Sequence, residues 1–348
     1  MKKIRESNFE LLRILSMFLI VMNHFIGVWP NWHFSNQHFG NEIVVQIFSS
    51  GGKIGVNLFV LITGYFLFSK KININSGVTV WLKNITYSWL TLVIILFLRP
   101  VGLIELTRRI FPTVTSFMWF STAYLVLFLL VPIINEIIHV LSKTMRIYLL
   151  AVLFVALSIL PTVGVDFAYS NVSWLIFVYL TGSEIALSGN QRKKISNIWL
   201  IIIGIILFSI GILSILCFRY FHFLPGRENY LMWFGNSTIS YLISIVIFLF
   251  FKNLRFKNVT INKLASYMFD VYLIQALIWE IFIHFNKIQT FESGMLFWIY
   301  IIVGPIIIFL ICILAVLLID FVTQKPMKKI GLFVGNQLQS LINRFITK

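Results

Sequence analysis

Arg13 and His24 stand inside the apolar stretch NFELLRILSMFLIVMNHF at residues 8–25, where ionisable groups are expensive. Eleven helical steps of about 100° bring the chain back to within roughly 20° of its starting direction, so both residues fall on one face of a helix. At about 1.5 Å per residue they stand roughly 16 Å apart along the axis, one near an interface and the other past the midplane of a bilayer. A guanidinium makes charge-assisted, forked bonds to phosphate. An imidazole titrates near neutrality, which suits it to proton transfer or to carrying an acyl group. Simpler roles also fit: Arg13 as a snorkelling anchor with Glu10 as its i,i+3 partner, and His24 as a structural histidine satisfied within a helix bundle. His24 gains nothing for insertion at that depth, and an ionisable group inside a membrane span is a functional candidate by default.

Other polar residues in apolar surroundings rank below this pair. Lys53 precedes the second apolar segment at a depth compatible with His24, where it could stabilise negative charge developing on a carbonyl oxygen or serve as an interfacial anchor. Glu280 and His284 are i,i+4 neighbours, a spacing that favours a mutually satisfied pair over a catalytic dyad. Asn57, Thr63, Tyr65, Tyr124 and Asn135 are expected to tie helices together by hydrogen bonds. Cys217 and Cys312 stand alone in apolar runs, without the spacing of a disulfide or metal site. No GxSxG, HExxH, Walker A or GxGxxG pattern is present, and SSGGKIG at 49–55 lacks the Ser/Thr that a phosphate loop needs after its lysine. Its small residues suit close helix approach.

The elements that must hold these residues follow from composition. Of 348 residues, 59% are hydrophobic and only 11% charged, too few polar groups to cover a soluble globule of this size. Long Ile/Leu runs and 35 Phe, with no alternating ten-residue pattern, predict a polytopic helical protein rather than a barrel. Ten spans are expected near 9–28, 54–69, 78–98, 117–138, 145–164, 172–188, 198–217, 231–251, 264–285 and 294–321, with an interfacial turn at 41–52. An even number puts both termini on one side. With that side cytoplasmic, 21 of the 28 Lys and Arg fall inside and seven outside, in accord with the positive-inside rule. The net charge of +16 is therefore spent on topology, not on nucleic acid. No small-x-small cleavage site follows the first segment, so it is read as retained, and a single membrane domain is expected over residues 1–348.

Among the outer cations are Arg99, Arg108, Arg109, Arg219 and Arg227, which would suit an acidic or phosphate-bearing acceptor or lipid headgroups. Trp29, Trp32, His33 and His38 follow the first span, where such side chains stack on sugar rings or form an interfacial belt.

The chain resembles the membrane acyltransferases of family 3, which O-acylate cell-surface glycans. Arg13, ten residues, then His24 matches the first-helix motif of that family. GVNLFVLITGYFLF (55–68), WFSTAYLVLFLLVPIIN (119–135) and ASYMFDVYLIQ (265–275) are similar to its further segments, so the resemblance spans nearly the whole chain. It departs in two places: Asp270 to Gln275 stand where many members read G-V-Y-L-I-H, and Lys83 stands near an expected Arg-x-x-Arg pair. The resemblance implies an O-acyltransferase of the cell membrane. Acetyl-CoA or another acyl-CoA would be its donor from the cytoplasm, bound by Arg13 and Lys83, with no permanently bound cofactor. A glycan or lipid-linked glycan outside would be the acceptor, with His24, Arg13 and Lys53 as catalytic residues. A polysaccharide exporter or flippase is the second class compatible with the pattern, although no repeats or interrupted helices around a midplane site are evident.

Overall fold

The structure is a computed structural model and describes residues 6–28, 39–70, 73–165, 168–189, 195–223, 228–233, 236–286 and 293–346. It is all helical, with no strand among the described residues. In chain order the helices are α1 Ser7–Asn23, α2 Phe39–Ser49, α3 Gly51–Leu67, α4 Ile74–Leu98, α5 Leu103–Ile110, α6 Trp119–Val140, α7 Lys143–Phe154 and α8 Leu160–Thr162. They continue as α9 Asn171–Leu187, α10 Asn197–Tyr220, α11 Tyr230–Trp233, α12 Thr238–Asn253, α13 Val259–Ala265, α14 Met268–Asn286 and α15 Gly294–Ile346. Single π-helical turns extend α1 over His24–Val28 and join α7 to α8 over Val155–Ile159.

Among the described residues, seven helical stretches are long and apolar enough to cross a membrane, and an eighth counts if α13 and α14, bent by 53°, form one span. Two shorter apolar helices, α9 and α12, occupy the places of the sixth and eighth expected spans. Side-chain caps set several starts. Asn73 accepts from the Asn75 amide at 2.9 Å, and Ser170 and Ser173 form a reciprocal capping box. The eighth segment begins at Thr238 rather than near 231 because Ser237 caps it, its hydroxyl accepting from the Ser240 amide at 3.3 Å.

Helices α1 and α3 form the centre of the bundle. Buried residues run along α3 from Ile54 to Gly64, whereas α10 and α15 leave Ile205, Leu213, Leu314 and Leu318 exposed, as lipid-facing helices do. Glycine permits the central packing: a Cβ on Gly55 would strike the Ser16 carbonyl of α1, and one on Gly64 would strike the Tyr179 carbonyl of α9. The 49–55 segment therefore works as a close-packing surface. Past its apolar part, α15 continues to Ile346 and rests on the start of α4, where a Cβ on Gly335 would overlap Asn75.

Candidate active site

Helix α1 carries Arg13 and His24 on one face, and the structure separates them with packed side chains. Met17 and Ile20, four and seven residues beyond Arg13 on the same stripe, are both buried. Arg13 lies toward the start of α1 and donates to both carboxylate oxygens of Glu10, at 3.2 and 2.9 Å. Its side chain keeps 26% exposure. It also interacts electrostatically with Tyr124 of α6, whose hydroxyl lies 3.3 Å from that of Thr63 in α3. The i,i+3 partner expected for an anchor is thus present, and the guanidinium still has open edges.

His24 sits where α1 changes to its π turn; its amide is shared between the carbonyls of Ile20 and Val21. Such turns re-aim side chains and recur at functional sites. Next to it, Asn23 donates to the Ser49 carbonyl at the junction of α2 and α3, and Gly52 lies flush against Asn23. That seam brings Lys53 to the histidine. Lys53 lies within α3, not ahead of it: α2 and α3 together make the candidate span Gly40–Leu67, so the stretch expected as an interfacial turn is a helix of the bundle. The Lys53 ammonium stands 5.2 Å from the centre of the Trp119 ring and interacts electrostatically with His24. Among the described residues no carboxylate pairs with it.

Gln275 of α14 completes the pocket, its side chain within hydrogen-bonding reach of His24. Its Nε2 donates to the Tyr272 carbonyl at 3.1 Å, which leaves the buried Oε1 to accept an imidazole N–H. An imidazole held by one nitrogen presents the other as a base or nucleophile, with a cation alongside where an oxyanion would form.

Lys83 belongs to a different cluster. Its ammonium meets the Asp270 carboxylate at 2.6 Å, with side-chain exposures of 23% and 4%, so it is charge-compensated. Tyr87 hydrogen-bonds Asp270, and Asp320 lies close enough to interact with it. Two of the positions at which the sequence departs from the family pattern, Lys83 and Asp270, therefore meet each other across 187 residues of chain, while the third, Gln275, lies beside His24 where many members carry a histidine.

Glu280 turns to α4 and α5 rather than to His284. It accepts from Arg99 and Arg109, each at 3.1 Å, and Glu105 pairs with the same two arginines at 2.8 and 2.7 Å. The expected Glu280–His284 pair is replaced because an arginine fork gives a carboxylate more donors than an imidazole can. Hydrogen bonds from Arg99, and then from Arg109, hold the Glu105 carboxyl down at about 2, so its pairing with the two arginines survives acidification well below the ordinary carboxylate range. Arg219 is likewise engaged, by Glu42 and Glu228 at 3.0 and 2.9 Å. Of the arginines expected outside, Arg99, Arg109 and Arg219 are each held by carboxylates. Arg227, Trp29, Trp32, His33, His38 and Lys287 lie outside the described residues.

Asn57, Thr63, Tyr124 and Asn135 do link helices. Asn57 accepts from Trp174 at 2.9 Å, and Asn135 from Tyr179 at 2.8 Å, joining α3 and α6 to α9. Tyr65 instead stacks on Phe9 at 5.0 Å. No group of three or more potential metal ligands occurs among the described residues.

A helical membrane bundle whose central helix carries a partly buried histidine and arginine, with a lysine of the adjoining helix beside the histidine, has the make-up of a membrane-embedded enzyme. The model of acyltransferase family 3, described as an acyltransferase domain, matches residues 6–320, and the chain belongs to that family. No curated protein and no solved structure matched the chain.

Proposed function

We propose that this acyltransferase is a multi-pass O-acyltransferase of the plasma membrane, most simply an O-acetyltransferase. It takes an acyl group from cytoplasmic acyl-CoA and delivers it to a hydroxyl of an extracytoplasmic polysaccharide or its lipid-linked precursor. The observation that carries the reading is the α1 stripe: a phosphate-binding group toward one end of the helix and, about 16 Å further along, a histidine flanked by Gln275 and Lys53. Arg13 holds a donor phosphate, and Lys83 joins it in donor binding as a hydrogen-bond donor, its charge being offset by Asp270. The thioester end extends along the stripe, past Met17, whose unbranched thioether side chain can shift rotamer to admit it.

His24 then removes the proton of the acceptor hydroxyl as the oxygen attacks the acyl carbon. Lys53 stabilises the oxyanion, the C–S bond breaks, and the coenzyme thiolate takes up the proton. If His24 first carries the acyl group itself, the same thiolate leaves in the first half-reaction and the acceptor displaces the imidazole in the second. The reading includes ten spans with both termini in the cytoplasm, supported by the distribution of Lys and Arg.

Mass spectrometry of surface glycans should show an acyl group that disappears in a deletion strain and returns with the wild-type chain. Unchanged glycans would remove the acceptor assignment. A reporter fused after Lys194 should be cytoplasmic and one after Lys287 external; the reverse at either point would overturn the sidedness.

A further inference from the structure

A second site lies away from the α1 stripe. A cavity of about 500 Å³ opens between α7, α9, α10 and α12, within the ~300–1,000 Å³ common for small-molecule sites. Its walls include Leu150, Leu200 and Leu249, while Lys252 and Arg255 stand at its polar end. That end belongs to the face where α1 begins, since the Asn8 amide donates to the Phe251 carbonyl at 2.9 Å and the Ser7 amide to the Phe256 carbonyl at 3.0 Å.

Its charge balance is one-sided. Glu184, the acid in the wall, is neutralised by Arg146 at 2.7 Å and also accepts from Ser188 at 2.7 Å. Lys252 is part-buried, its ammonium 5.9 Å from the centre of the Tyr65 ring, and Arg255 is exposed; among the described residues neither pairs with a carboxylate. Phe9 packs against Tyr65, Phe66 and Phe248 at 5.0, 4.9 and 5.6 Å.

We propose that this cavity binds an anionic phospholipid, with one acyl chain against the leucine wall and the phosphate held by Lys252 and Arg255. The amphiphilic lining calls for a ligand with an apolar tail and a negative head. Two unpaired cations at the depth of the headgroups favour an anionic over a zwitterionic one. The proposal is independent of the acyltransfer reaction, because neither Arg13 nor His24 lines the cavity.

The full chain in nanodiscs, photolabelled with a diazirine-bearing phosphatidylglycerol and mapped by mass spectrometry, should carry label on α9 and α12 about 25-fold above that from the matching phosphatidylcholine, about 5-fold for each of the two cations. R255Q should lower the excess roughly 5-fold, and K252Q/R255Q should abolish it. R255Q alters an exposed side chain and should leave the size-exclusion profile unchanged, which separates lost binding from lost fold. Excess coenzyme A should leave the labelling intact. Equal labelling by the two lipids, or an excess that survives in the double variant, would overturn the proposal. Displacement of the lipid by coenzyme A would also overturn it and assign the cavity to the donor.

Discussion

His24→Ala should lower acyl transfer by at least ~100-fold, the usual scale of general acid–base catalysis, while inserted protein stays at the wild-type level. The histidine lies on the central helix, faces Gln275 and shares its pocket with Lys53. Removing it deletes the one imidazole of the stripe, and insertion itself becomes easier without a polar group at that depth. Arg13→Ala should act on a different quantity. If the guanidinium holds the donor phosphate, the apparent KM for acyl-CoA rises, and Arg13→Lys restores only part of the loss because it lacks the planar fork. Comparing kcat and KM of the two variants, at immunoblot-matched protein levels, separates the roles. Near-normal transfer in His24→Ala would make the histidine structural.

Lys83→Met should cost about 3–5 kcal/mol of stability, the range seen when one partner of a buried ion pair is removed. The Asp270 carboxylate, 4% exposed, would be stranded beside Asp320 without its cation. Thermal melting of purified protein in detergent should fall by roughly 5–10 °C. Adding Asp270→Leu should recover most of the loss, since two apolar side chains of suitable volume replace a buried pair at little cost. A double variant no more stable than Lys83→Met alone would mean that the pair is not an energetic unit.

Much of this arrangement is legible in the chain because it rests on short-range rules. Apolar runs of about twenty residues mark the helices, and a spacing of eleven places Arg13 and His24 on one stripe. The junction at 49–55 is legible in kind, as a surface for close approach, but Lys53 falls ahead of a helix when the span is started at the first apolar residue after it, Ile54. The two glycines ahead of it lie inside α3, pressed against α1. Partners across the bundle leave a fainter trace. Lys83 in one apolar segment and Asp270 in another are complementary charges, yet no local period connects them, and only the packing of α4 against α14 makes them a pair. Glu280 shows the same limit: the nearest helical neighbour by spacing was His284, and tertiary structure supplied two arginines. The continuation of α15 beyond residue 321 is hidden by Pro326 and three lysines, which end the apolar run without ending the helix.

The central claim is that the acyl group travels along the α1 face from the Arg13 end to the His24 end. Reconstituting the purified protein in liposomes of known orientation and adding radiolabelled acetyl-CoA only on the Arg13 side tests this directly, with the glycan acceptor confined to the opposite side. Label should accumulate on the acceptor in a His24-dependent manner and should not do so when donor and acceptor are exchanged. Label reaching the acceptor equally from either arrangement, or no transfer by folded, correctly oriented protein, would contradict the account.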